Sequence, residues 1–253
     1  MTPGAGDARV AIVTGAGSGM GCATAAHLAE RGWGVVAVDL RQESLGWTEG
    51  ADTVAPLAAD IATEEGNAAM VALAEETFGG LDGAVLNAAV IAAGPIDQLP
   101  IEDLDRMYAV NLRGAALGIR AVLPALRRRG GGAISVTSSM GGTEGETFNW
   151  AYGATKAGVI NLVQSVAMEV GRDGIRVNAL CPGPIRNTGM SSAAEQTPAV
   201  YDGVKGLTAL KRWGEPGEIA SVHEFLLSPA SSYVTGATIL VDGGVTAGHT
   251  WTS

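Results

Sequence analysis

Tyr152 and Lys156 stand four residues apart in the run YGATK. On a helix that spacing puts both side chains on one face, one turn apart. An ammonium beside a phenol favours the phenolate, which lowers the tyrosine pKa and makes it a usable acid or base. Ser139 lies thirteen residues before Tyr152, and its hydroxyl can bond a reacting oxygen and hold it against the phenol. The trio suits proton transfer at a carbonyl or alcohol oxygen. Many helices carry Tyr-x-x-x-Lys by chance, so its weight depends on what accompanies it.

What accompanies it is a glycine turn, Thr14-Gly15-Ala16-Gly17-Ser18-Gly19-Met20-Gly21, between a β-branched run and an alanine-rich helical segment. Small residues there allow a sharp turn, close approach of backbone to a pyrophosphate, and tight helix–sheet packing. The N–H groups that open the helix, with the positive end of its dipole, then hold phosphates. A glycine cluster alone marks only a tight turn; between a strand and a helix it marks a dinucleotide site. Asp39 ends the next strand, 18 residues past Gly21. A carboxylate there accepts ribose hydroxyls and repels a 2′-phosphate, which favours NAD. Arg41, two residues on, can pair with a phosphate and keeps NADP open, although no basic residue lies between Gly15 and Gly21.

The elements that position these groups alternate. Strands are expected at 9–14, 33–39, 53–59, 81–86, 133–138, 175–181 and 238–241. Helices are expected at 18–31, 63–78, 101–129, 151–172 and 216–227. The strands are continuous apolar runs, so both their faces are covered. Strand–helix alternation of this kind predicts an α/β, doubly wound (Rossmann) fold: one domain, a seven-stranded parallel sheet, and helices on both faces. Residues 1–8 read as a flexible segment and 9–253 as the single domain. Residues 190–210 lack strong periodicity, and a stretch of that length in a compact domain predicts a substrate lid, about 188–212.

The composition narrows the partners. The 253 residues carry 26 acidic against 16 basic side chains, a net charge of −10, which excludes nucleic acid or an anionic membrane as main partner. Residues 1–10 lack a basic start and an apolar stretch, and the most apolar run, 84–96, is too short to span a bilayer. Cys22 and Cys181 build no disulfide framework and have no metal-ligand spacing, so no metal is expected. A soluble, cytoplasmic setting is the expectation. His27, His223 and His249 are scattered and read as satisfied core or surface residues. Cys181 reads as a small apolar filler.

Taken together, these motifs resemble the short-chain dehydrogenase/reductase family from about Arg9 to Gly244. The likeness rests on TGAGSGMG, Asp60 after the third strand, Asn111 in YAVNLRG, Ser138-Ser139, YGATK, Pro182-Gly183 and YVTGATILVDGG. It implies a catalytic tetrad of Asn111, Ser139, Tyr152 and Lys156. In it Asn111 anchors a water linked to Lys156, and Lys156 holds the nicotinamide ribose. It implies cofactor contacts at Gly15, Ser18, Gly19, Met20, Gly21, Asp39, Asp60, Ile61, Asn87, Ala88, Tyr152, Lys156, Pro182, Gly183, Ile185 and Thr188. Substrate contacts are expected at Ser139, Glu144, Phe148, Asn149, Tyr152 and Met190.

Two positions depart from the family pattern. Leu86-Asn87-Ala88-Ala89 stands where Asn-Asn-Ala-Gly is usual, and Thr188 comes one residue late after Pro184-Ile185, which leaves Asn187 and Thr188 as alternatives at the nicotinamide carboxamide. The implied activity is NAD(P)-dependent hydride transfer between nicotinamide and a secondary alcohol or ketone, NAD(H) preferred, on a small-molecule substrate. The alternatives are an NADPH-dependent 3-oxoacyl or polyketide ketoreductase and a dinucleotide-binding sensor without chemistry, which would have no use for the intact tetrad. The family likeness also implies a homotetramer, with Leu117, Val122, Val163 and Met168 as apolar positions beyond what one helix face needs.

Overall fold

The computed structural model describes residues 8–248. Of the expected flexible segment only Ala8 falls among them, and His249 lies outside. Seven strands pair in one sheet of order β3-β2-β1-β4-β5-β6-β7. They are β1 Val10–Thr14, β2 Gly34–Asp39, β3 Val54–Ala58, β4 Gly83–Leu86, β5 Gly132–Thr137, β6 Ile175–Pro182 and β7 Thr238–Val241. Every pairing is parallel. The chain winds from β1 outward through β2 to β3, then returns to place β4 on the other side of β1. That reversal opens a crevice at the carboxyl ends of β1 and β4.

Side chains alternate across the sheet, and each face has its own core. Ile12, Val36 and Val38 pack with Met70 of α2 (Glu64–Phe78), Ile119 and Val122 of α4 (Gly114–Arg129), and Val159 and Val163 of α5 (Trp150–Val170). Ala11, Val13, Val35 and Ala37 pack on the opposite face with Ala25 and Leu28 of α1 (Gly19–Glu30) and Leu227 of α8 (Pro216–Leu227). Val122 and Val163 are therefore core residues, a correction to their reading as surplus apolar surface. Met168 is exposed.

The helix ends follow their sequence signals. Thr63 caps α2 by accepting from Gly66 N at 3.0 Å, and Pro216 opens α8 inside a Glu215–Glu218 capping box. Two expectations change. The helix expected at 101–129 is α3 (Ile101–Met107) and α4 joined by a π turn, Tyr108–Arg113. A π turn inserts an extra residue per turn, and this one carries Asn111 into the interior, where its amide bonds Val90. By length and hydropathy Ile101–Arg129 qualifies as a membrane span, but half of its most apolar window is buried inside the fold; its place is that of a core helix. Residues 190–210 are not irregular: they form α6 (Ser192–Glu195) and α7 (Pro198–Leu207), the latter opened by Pro198. A 3₁₀ stretch at Gln42–Thr48 went unforeseen.

Candidate active site

The carboxyl ends of the strands frame a cleft of about 640 Å³. At its first end lies the glycine turn. Gly15 has φ +68°, and a Cβ there would stand 2.9 Å from Ala88 Cα. Gly21 is sealed against the turn, since a Cβ on it would meet the Gly15 carbonyl oxygen at 2.1 Å. Its contribution is to bring α1 close to β1, whereas Gly15, Ser18, Gly19 and Met20 line the cleft itself. Asp39 closes this end. Its Oδ2 accepts from Gly17 N at 2.9 Å, so a backbone amide orients the carboxylate. Asp60 and Ile61 line the same end, and Asp60 also caps the turn into α2 by accepting from Ala62 N at 2.9 Å.

The middle of the cleft rests on Asn87 and Ala88. Asn87 N donates to Thr14 Oγ1 at 2.9 Å and its Nδ2 to the Thr14 carbonyl at 3.2 Å. These bonds tie the end of β4 to the end of β1. The far wall comes from Pro182, Gly183, Ile185 and Thr188. Gly183 is obligatory where β6 passes the last strand's exit, because a Cβ would lie 2.6 Å from Asp242 Cα. Thr188 approaches the glycine turn and lines the cleft, and Asn187, with φ +56°, turns the chain before it.

Ser139, Tyr152 and Lys156 meet at the inner end. Ser139 follows β5 closely and accepts from Gly141 N at 3.2 Å. Tyr152 and Lys156 occupy the first turns of α5, and that helix start is fastened to the strand end. Ser138 Oγ donates to the Lys156 carbonyl at 2.8 Å, and Lys156 Nζ donates to the Thr137 carbonyl at 2.9 Å. In the sequence Ser138 is only the first of a pair; residue type does not tell its fastening role from that of Ser139.

Asn111 stands behind this corner. Its Oδ1 accepts from Val90 N at 2.8 Å, while Nδ2 donates to the Val90 carbonyl at 2.9 Å and to Thr155 Oγ1 at 3.1 Å. Both amide hydrogens are thus committed to holding the segment after β4 against α5. Only acceptor capacity on Oδ1 is left over for the water expected there.

Electrostatics corrects one expectation. Burial pushes the Tyr152 phenol up to about 12; its hydrogen bond with Ser139 opposes this, and Glu146 and Cys181 add to the rise. Burial likewise pulls Lys156 down to about 8, with Cys181 acting the other way. The Lys156 ammonium, 5.6 Å from the Tyr152 ring centroid, does not bring the phenol down in this arrangement. Desolvation disfavours both charges and is the largest influence on each.

Of the expected substrate contacts, Ser139, Tyr152 and Met190 line the cleft. Glu144 and Phe148 are exposed and, with Asn149, stand beyond its lining. Phe148 holds φ +67°, and its carbonyl accepts from Gly94 N at 2.9 Å. Leu40, Ile91 and Trp213 line the cleft without having been foreseen; an apolar side chain carries no signal that separates lining from core. Among the described residues no cluster of His, Cys, Asp or Glu could hold a metal ion.

The residues fit a nicotinamide dinucleotide. A tightly packed glycine turn lines the cleft at the start of α1, an oriented carboxylate stands at one end, and Lys156 has two uncommitted N–H groups at the other.

Comparison with known proteins agrees. Residues 15–246 match the family model described as enoyl-(acyl carrier protein) reductase. The chain is 38% identical over 248 residues to 2-(R)-hydroxypropyl-CoM dehydrogenase of Xanthobacter autotrophicus, covering 94% of this chain and 99% of that protein. It is 37% identical over 251 residues to cis-4-hydroxycyclohexanecarboxylate dehydrogenase of Sinomonas cyclohexanicum, covering 94% and 97%. The crystal structure of levodione reductase matches with a TM-score of 0.90 at 35% identity, covering 95% of this chain and 98% of that one. The chain belongs to the short-chain dehydrogenase/reductase family and is a nucleotide-binding oxidoreductase.

Proposed function

We propose that this chain interconverts a secondary alcohol and its ketone, with NAD(H) preferred over NADP(H). One observation carries the reading: a single cleft joins Ser139, Tyr152 and Lys156 at one end to the oriented carboxylate of Asp39 at the other. The cofactor, when bound, supplies or accepts the hydride. Tyr152 holds the proton that moves to or from the substrate oxygen. With its phenol up at about 12, it is protonated at neutral pH and ready to donate in the direction of reduction. Ser139 bonds the same oxygen and so stabilises the charge that grows on it. Lys156 binds the nicotinamide ribose and is the positive group nearest the phenol. Asn111 positions α5, and Thr188 serves the carboxamide.

Glu144, Phe148 and Asn149 are proposed to reach a bound substrate from the segment between Ser139 and Tyr152. Met190 does so from the segment after β6. A cytoplasmic homotetramer is part of the same reading, supported by exposed apolar side chains such as Met168, Phe225 and Tyr233; a monomer in light scattering at micromolar concentration would overturn it.

The test of the cofactor reading is kcat/KM with both dinucleotides across secondary alcohols, diols and hydroxy-steroids. A 2′-phosphate must approach the Asp39 carboxylate, so NAD+ should lead by about tenfold or more, each tenfold being about 1.4 kcal/mol. Equal or better efficiency with NADP+ would favour the ketoreductase reading instead, with Arg41, which also lines the cleft, taking the phosphate.

A further inference from the structure

A buried polar chain runs behind the sheet from α8 to the cofactor cleft. His223, on α8, is fully buried. Its Nδ1 lies 2.8 Å from Ser135 Oγ and its Nε2 lies 3.3 Å from Thr137 Oγ1, both hydroxyls belonging to β5. Thr137 Oγ1 in turn stands 3.2 Å from Asn87 Oδ1. The chain ends where Asn87 Nδ2 meets the Thr14 carbonyl.

The direction of every bond follows from that last one. A main-chain carbonyl can only accept, so the Asn87 NH2 faces Thr14 and its oxygen faces Thr137. Thr137 must then donate its only hydroxyl hydrogen to Asn87. It can take a bond from His223 only as an acceptor, which requires the ring hydrogen on Nε2. Nδ1 is left bare, and Ser135 donates to it. The network is fully satisfied in one tautomer, with a neutral ring. Neutrality agrees with the fall of the His223 pKa to about 3 through burial.

Stability alone does not call for this arrangement. Three apolar side chains would fill the space between α8 and β5 without burying a polar group, which is costly unless every bond is made. What the chain does reach is the site. Asn87 lines the cofactor cleft, and the carbonyl of Thr137 holds Lys156 Nζ.

We infer that His223 is a positioning residue: by donating Nε2–H to Thr137, it holds the Thr137 hydroxyl toward Asn87 and so secures, in the cofactor cleft, the amide orientation that the Thr14 carbonyl sets. This rests on the reading of the cleft as a nicotinamide dinucleotide site, but the state of the ring can be read without any cofactor.

The experiment has a spectroscopic arm and a binding arm. Long-range ¹H–¹⁵N NMR of the ligand-free protein should show the His223 ring neutral with its hydrogen on Nε2. The other tautomer would overturn the inference whatever the cleft binds. For binding, NADH and NADPH are titrated by tryptophan fluorescence, and each variant is compared with wild type for the tighter of the two. His223→Leu should raise Kd about tenfold, as the loss of one well-placed hydrogen bond would. His223→Gln, which restores an amide donor near the Nε2 position, should recover most of that loss. Thr137→Val cuts the chain while leaving His223 in place and should match His223→Leu; it decides the question if His223→Leu does not fold. A folded Thr137→Val with wild-type Kd would overturn the inference. Failure of wild type to bind either dinucleotide would instead overturn the cleft reading, with the NMR result still standing.

Discussion

The catalytic corner and the segment from Arg186 to Arg212 face each other across the cleft and are built on opposite principles. In the corner Asn111, Tyr152 and Lys156 are buried, at 2%, 8% and 1% exposure. Asn111 and Lys156 are held by hydrogen bonds to main-chain atoms of neighbouring elements. Across from it, Leu207 and Leu210 point into solvent at 66% and 62%. That segment is held by local and surface contacts. Glu195 accepts from Asn187 N at 2.8 Å, Tyr201 stacks on Trp213 at 5.5 Å, and Arg212 forms a two-pronged pair with Glu218 at 2.8 and 2.7 Å. Exposed ion pairs contribute little, because water screens them. Both ends of the segment carry left-handed non-glycine residues, Asn187 and Lys211. Under the proposed function the contrast would give the two parts different work: the corner would set the reaction, and the opposite segment would adjust to what reacts.

Breaking the corner should have the largest effect. Tyr152→Phe keeps the ring and its packing but removes the proton carrier. Turnover followed by NADH absorbance should fall by roughly 10²–10⁴, while NADH affinity stays near wild type. Met190→Ala on the opposite wall should redistribute KM among alcohols and leave the best kcat within about tenfold. Near-normal turnover in Tyr152→Phe would sink the assignment of the corner. With the phenol up at about 12, alcohol oxidation should rise with pH through the alkaline range as phenolate forms, and carbonyl reduction should fall.

A second, smaller effect concerns stability behind the corner. The His223 ring titrates near 6.5 when unfolded and at about 3 when folded. Between those values the unfolded chain takes up a proton that the native chain refuses. Stability is therefore fully present above about pH 6.5 and is lost as the pH falls from there toward 3, by on the order of 5 kcal/mol in all. Urea midpoints measured from pH 7.5 to 4 should fall steeply, and the slope should flatten in His223→Leu. An unchanged slope in that variant would show that other groups carry the acid loss.

Legibility in the sequence divides along the same line. The two ends of the cleft could be read because such chemistry needs particular residue types at fixed spacing: a glycine turn after a strand and Asp39 at the next strand's end for one, Tyr152 four before Lys156 for the other. The sheet was equally plain, since strands covered on both faces must be apolar throughout. What did not show was geometry that leaves no mark on residue type. The π turn at Asn111 reads as ordinary helix, because inserting a residue changes no composition. In 190–210 the Ser, Thr and Gly content hid two helices, although Pro198 stands where a helix begins. The pairing of His223 with Ser135 and Thr137 spans more than eighty residues, and no local period reports it. The Tyr152 pKa went against expectation for a related reason: charge proximity can be read from spacing, but desolvation depends on the whole fold.

The smallest effect separates the two regions by backbone strain. Lys211 sits at φ +55°, a conformation that costs an L-residue about 1–2 kcal/mol. Its Nζ bonds the Gly206 carbonyl at 2.8 Å on the surface, a contact worth little because water competes for both groups. Lys211→Gly removes the strain and loses that contact. It also loosens the unfolded chain, at a cost of about 0.5–1 kcal/mol. The balance is a gain of a few tenths to about 1 kcal/mol, which for a chain of this length raises Tm by about 1–4 °C. In the corner, by contrast, Ser138→Gly removes a buried hydroxyl that anchors Lys156 and should lower Tm. Calorimetry on the two variants checks the pair. A fall in Tm for Lys211→Gly would mean that the left-handed turn is held by favourable contacts, and that the segment is as firmly specified as the corner it faces.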